Sequence, residues 1–151
     1  MSIENEIKGR FRNEYHKGAI NLIYTVKQLS YHFLQLLKKY GLTEPQYNVL
    51  RVLRGFQEQG PQSIGFIKDR MLDKKSDVSR IVDRLFEKGL VDRKENCSDR
   101  RQKDIGITKK GLNLIGNMDD CTTQHDDSLK NLDEQEVTEL NRLLDKIREK
   151  S

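Results

Sequence analysis

KKSDVSRIVDRLFEKGLVDRKENCSDRRQKDIGITKKG, residues 74–111, is the stretch whose reading decides the fold. From Val78 onward the apolar residues Val78, Ile81, Val82, Leu85 and Phe86 recur at three- and four-residue steps, so the spacing predicts a helix with one buried stripe. Its opposite face holds Ser76, Ser79, Arg80, Asp83, Arg84 and Glu87. Gly89 stands where a left-handed cap would end that helix, and residues 90–95 start apolar and turn charged, as a strand does. A second strand is predicted at residues 103–107. Between the two lies a polar, basic tip, Asn96-Cys97-Ser98-Asp99-Arg100-Arg101, which reads as the turn of an exposed β-hairpin. An Arg-bearing helix followed by a basic hairpin is a winged helix, a pairing that suits DNA.

A helix lying in the major groove needs short polar side chains near its start and an Arg that can reach guanine with both arms. Ser76, Ser79 and Arg80 meet that description, while Arg84, one turn on, and Lys75, in the preceding turn, are placed for phosphates. Each of these residues also fits an ordinary solvated helix face.

The run VSRIVDRLFEKGLVDR...SDRRQKDIGITKKG resembles the signature of MarR-type bacterial transcription regulators. It has a recognition helix, an EKGLV turn, a wing with D-x-R at Asp99 and Arg101, and an I-T-x-x-G exit at Ile107, Thr108 and Gly111. The match in order and spacing covers nearly the whole chain. The resemblance implies that Asp99 holds Arg101, with Arg100 beside it, for the minor groove. An ion-paired guanidinium would be pre-set for a narrow, electronegative groove, although the same triplet also fits a plain charged turn. It further implies a homodimer whose N- and C-terminal helices interlock, and release from DNA by a small-molecule effector bound between the dimerisation helices and the reader. Two departures stand out. Asp77 places an acid near the start of the recognition helix, where the helix dipole favours it and a phosphate would not. The turn from Leu72 to Val78 is one residue longer than the common pattern, which leaves Asp73 and Ser76 as alternative caps.

At 151 residues the chain fits one domain, with 34% hydrophobic residues, 34% charged residues and no Trp. No apolar run approaches the roughly eighteen residues of a membrane span, and MSIENEIKGR lacks the apolar core of a secretory signal, so a cytoplasmic protein with no membrane partner is expected. The net charge of +4 is modest, but it is unevenly spread. Residues 68–110 hold fourteen Lys or Arg against nine acids, while residues 119–139 hold eight acids and one Lys. Positive charge concentrated on the proposed reader is the footprint of a protein that touches phosphates with one face. Cys97 and Cys121 make no disulfide framework, and no Cys/His spacing suits zinc, so no metal or cofactor is expected. Cys97, beside the basic wing tip, is a candidate oxidisable switch as well as an ordinary small residue. The peroxide-sensing branch of the resembled family carries its cysteine near the start of the first long helix, where this chain has none.

Elsewhere the chain reads as helices. Residues 13 to about 40 carry a heptad-like seam of Leu22, Val26, Leu29, Phe33, Leu36 and Tyr40, widened by Ile23, Leu34 and Leu37. Such a stripe fits a core helix packed on its own domain, but its breadth in so small a chain favours core and subunit interface at once. Ile3, Ile7 and Phe11 suit a short extra helix or an arm on a partner. Thr43-Glu44-Pro45-Gln46 predicts a capping box with Pro in the first turn, residues 63–72 the first helix of the helix-turn-helix, Thr108 the cap of a following helix, and Asp133 with Glu136 the start of the last. The expected architecture is mainly α with a small β-hairpin wing: one domain over residues 1–151, a winged-helix reader over about 45–108, and dimerisation helices over about 1–40 and 109–151. The leading functional expectation is a homodimeric, sequence-specific regulator on double-stranded DNA, a repressor reading a pseudo-palindrome. A winged-helix protein–protein interaction module without sequence-specific DNA binding is the alternative. An enzyme comes last, because no nucleophile–base pair or phosphate loop appears.

Overall fold

The structure, a computed structural model, describes residues 1–150 apart from the side chains of residues 120–126. Cys121 and His125 therefore lie outside the described side chains. The element order is α1 (Ile3–Ile7), α2 (Glu14–Lys39), α3 (Glu44–Gly55), β1 (Gln62–Ser63), α4 (Ile64–Asp69), α5 (Val78–Glu87), β2 (Val91–Glu95), β3 (Lys103–Ile107), α6 (Lys109–Asp127) and α7 (Glu134–Arg148). The mainly helical fold with a small wing expected from the sequence is the fold found.

Local chemistry sets the element ends. Gly41 (φ 68°) and Gly89 (φ 73°) take the left-handed conformation that follows α2 and α5. In both, the next amide turns back to a leucine carbonyl, Leu42 N to Leu37 O and Leu90 N to Leu85 O, each at 3.0 Å. This is the Schellman closure, and the paired leucines are buried at both ends. Thr43 Oγ1 accepts from Gln46 N at 3.3 Å while Gln46 Oε1 accepts from Thr43 N at 3.2 Å, so the expected capping box starts α3. Asp133 and Glu136 form the same reciprocal pair ahead of α7, and Thr108 Oγ1 accepts from Gly111 N at 3.1 Å ahead of α6. Each cap is worth about 1 kcal/mol.

The sheet has the order β1-β3-β2 and is antiparallel throughout, with Val91 opposite Ile107, Glu95 opposite Lys103 and Gln62 opposite Ile105. The hairpin was legible in the sequence, but β1 was not. Its two residues are too few to leave an alternating pattern, and only pairing with β3 makes them a strand.

Two compact units result, one of Leu34–Thr122 and one of Met1–Phe33 with Thr123–Ser151. The first has a true core in which Leu37, Val49, Leu50, Ile67, Val82, Leu85, Ile105, Ile115 and Met118 are almost fully enclosed. In the second, Ile3 is the one buried apolar residue among those described. Within this unit α1 is tied to α2 by the Glu4–Lys17 ion pair and by Tyr24 Oη donating to Glu6 Oε2 at 3.0 Å. The apolar stripes remain open: Val26 is 52% and Ile147 67% exposed, and α7 buries none of its residues. Of the α2 seam, a single chain leaves Leu22, Ile23 and Val26 uncovered.

Candidate nucleic-acid interface

α5 buries Val78, Val82 and Leu85 and exposes Ser79, Arg80, Asp83 and Arg84, which gives it a fixed inner face and a free outer one. Phe86, expected in the buried stripe, is 43% exposed. The cap is neither of the two alternatives. Asp77 Oδ1 accepts from Arg80 N at 3.2 Å, and the longer turn delivers the chain to the helix one residue later than Ser76. Asp73 instead accepts from Lys75 N at 2.9 Å and shapes the turn. Ser76 departs from the expected reading face: its Oγ is shielded from solvent and has no hydrogen-bond partner among the described residues.

The remaining helix candidates are open to solvent. Arg80 Nε lies 4.0 Å from Asp77 Oδ2, beyond hydrogen-bond range, with the Arg80 side chain 80% exposed. Lys75 and Arg84 are exposed and have no ion pair among the described residues.

The wing tip is knitted by its own side chains. Asn96 Oδ1 accepts from the amides of Ser98 and Asp99 at 2.8 and 3.1 Å, and Asn96 Nδ2 donates to Asp104 Oδ1 at 3.1 Å. Asp99 Oδ1 accepts from the backbone N–H of Arg101 at 3.0 Å. This corrects the expected pairing of Asp99 with the Arg101 guanidinium. Two residues apart in a tight turn, the carboxylate reaches the main chain first. It fixes the backbone and leaves the Arg100 and Arg101 side chains exposed, with no ion pair among the described residues. Cys97 is exposed on the same tip.

Between α5 and the wing lies an open groove of about 510 Å³, lined among others by Ser79, Val82 and Asp83 from the helix and Arg93, Arg101 and Lys103 from the wing. Of the sequence candidates, Ser79 and Arg101 line it together. Lys75, Arg80, Arg84 and Arg100 lie outside it.

Among the groove residues that the sequence reading missed, Arg93 is the one held by the recognition helix. Arg93 Nη1 donates to Asp83 Oδ1 at 2.5 Å, and its guanidinium carbon stands 4.0 Å from the Phe86 ring centroid. The signal was available: Arg93 shares a strand face with Val91, two residues back, so a cation was due to point inward there.

Comparison with known proteins bears on this arrangement. Residues 42–103 match the model of the MarR family. The HTH-type transcriptional repressor IacR of Pseudomonas putida is 37% identical over 114 residues, 75% of this chain and 66% of that protein. The chain belongs to the MarR family. The HTH-type transcriptional regulator MhqR of Bacillus subtilis is 29% identical over 80% of this MarR-family chain and 82% of its own length. A crystal structure of a mutant MarR from E. coli complexed with operator DNA has the same fold, with a TM-score of 0.76 at 23% identity over 93% of this chain and 100% of the other. The matched stretch spans just under two thirds of IacR. No helix among the described residues is long and apolar enough to cross a membrane.

Proposed function

We propose that this chain is a DNA-binding transcriptional repressor that acts as a homodimer on a pseudo-palindromic operator. The observation that carries this reading is the set of exposed cations on two neighbouring elements: Arg80 and Arg84 on α5, Arg100 and Arg101 on the wing. Arg84, Arg100 and Arg101 have no ion pair among the described residues and Arg80 has a loose one with Asp77 at 4.0 Å, so these side chains are free to replace counterions on phosphates and to reach base edges. Ser79 and Arg80 would read the major groove, Lys75 and Arg84 would hold the backbone, and Arg100 and Arg101 would enter the adjacent minor groove. Ser76 would support the helix start from inside instead of touching DNA.

Burial supports the dimer. A unit whose helices leave Val26 and Ile147 open lacks a core of its own, and a second copy pairing the same faces would supply one. Two readers would then meet half-sites about one helical turn apart. A groove of about 510 Å³ beside α5 is of the size that takes a small organic molecule, and an effector seated there would compete with the DNA-bound geometry of the wing.

The test is binding to random duplex at several salt concentrations, followed by selection of duplexes from a random pool. Affinity must fall steeply with salt, and the selected sites must carry two-fold symmetry. Salt-independent binding, or a selected pool without inverted repeats, would sink the proposal and favour a protein-interaction module.

A further inference from the structure

Only Lys88, Gly89 and Leu90 separate α5 from β2, so this link fixes where the wing starts, and side chains beyond it set the angle at which the wing lies. The outer surfaces of α5 and the wing are joined by Arg93. Its guanidinium is held from one side by Asp83 Oδ1 at 2.5 Å and packed on the other against the Phe86 ring at 4.0 Å, both residues on the exposed half of α5. The Arg93 side chain is 26% exposed against 59% for Asp83, so the clamp is partly shielded from solvent. In the sheet Arg93 pairs with Ile105, a fully buried residue of the other wing strand, so its backbone is anchored to the core.

We infer that Arg93 is a positioning residue: through Asp83 and Phe86 it sets the angle of the wing against the recognition helix, so that the Arg101 side and the Ser79–Arg80 side meet DNA together. The inference rests on reading α5 and the wing as DNA-contacting. It adds that an acid on the DNA-facing helix, which by charge alone should repel phosphates, favours binding because it holds Arg93. Asp83 would then act with a sign opposite to its long-range field. A planar guanidinium suits the task because it accepts a carboxylate at its edge and an aromatic ring on its face at once.

The experiment compares the unaltered protein, Asp83→Asn, Arg93→Gln and the double variant on a duplex selected from a random pool by the unaltered protein, at fixed salt, with thermal unfolding as the check on folding. Asp83→Asn should weaken binding by about tenfold although it deletes a negative charge, and the double variant should be no weaker than Arg93→Gln alone. Adding Arg101→Ala to Arg93→Gln should cost less than Arg101→Ala in the unaltered protein, because the wing is already misplaced. If Asp83→Asn binds more tightly, or the Asp83 and Arg93 effects add, Arg93 is a direct phosphate contact and the inference is overturned while the DNA reading stands. If the unaltered protein selects no duplex, the DNA reading fails first and this inference with it.

Discussion

Gly111, in the first turn of α6, lies against the backbone of Leu90, the residue that closes α5 and leads into β2. A Cβ at position 111 would overlap the Leu90 carbonyl oxygen and stand 2.8 Å from Ile107 Cγ1. The same Leu90 carbonyl accepts from Thr108 N at 3.1 Å, and Thr108 Oγ1 donates to Gly89 O at 2.7 Å. The exit of the wing is thereby fastened to the end of the recognition helix. Gly111→Ala should lower stability by about 1–3 kcal/mol, read as a shift in urea midpoint at unchanged slope. An unshifted midpoint would mean that the approach is looser than described.

Asp77 caps α5 with its carboxylate. Asparagine caps equally well, so Asp77→Asn should leave the melting temperature nearly unchanged while removing an acid beside the reader, and duplex binding should tighten. Asp77→Ala should instead cost about 1 kcal/mol of stability. Equal melting temperatures for the two variants would show that the cap contributes nothing.

Arg101→Ala should weaken binding to a selected duplex by about 1–3 kcal/mol with the fold intact. Gel shifts at one salt concentration and circular dichroism suffice. Unchanged affinity would remove the wing from the interface.

Val26 is half exposed in the single chain. On a monomer, Val26→Asp should be nearly silent, as surface substitutions usually fall within about 0.5 kcal/mol. On the proposed dimer it buries a charge, and sedimentation should show dissociation at micromolar concentration. A dimer that survives the change would place the interface elsewhere.

The Glu4–Lys17 ion pair gives a pH response. Hydrogen bonding from Lys17 holds the Glu4 carboxyl below its ordinary range, and Glu4 raises Lys17 in return. For Glu4, the folded value lies below the unfolded one, so its contribution is present at neutral pH and lost as pH falls through the folded value. For Lys17 the contribution is lost as pH rises through its raised value. Amide protection in α1, the exchange rate taken relative to that of an unstructured chain at the same pH, should therefore be greatest in the neutral range and fall at both extremes. Both side chains are partly exposed to solvent, which screens the pair and keeps the effect local to α1. Exchange that ignores Lys17→Met would disconnect the pair from it.

The helix-turn-helix, the hairpin and the capping residues could be read from the chain because each depends on neighbours within a few positions. Thr43 with Gln46, Asp133 with Glu136 and Gly89 after Leu85 are local bargains between side chain and backbone. The choice of Asp77 over Asp73 or Ser76 was less legible, because all three can cap and only the path of the turn decides which carboxylate or hydroxyl arrives at the free amides. Asp99 posed the same difficulty: charge suggested a guanidinium partner, and turn geometry gave it an amide.

By itself the sequence determined most of the element ends, which stripes are apolar and where the cations gather, since periodicity and capping act over a few residues. Tertiary structure decided what touches what. It made Gln62 and Ser63 a strand by setting them beside Ile105 and Asp104, enclosed the Ser76 hydroxyl, and brought Arg93 onto Asp83 from ten residues away. Those outcomes depend on the angle at which one element packs on another, a quantity fixed by the summed fit of the core and carried by no single residue.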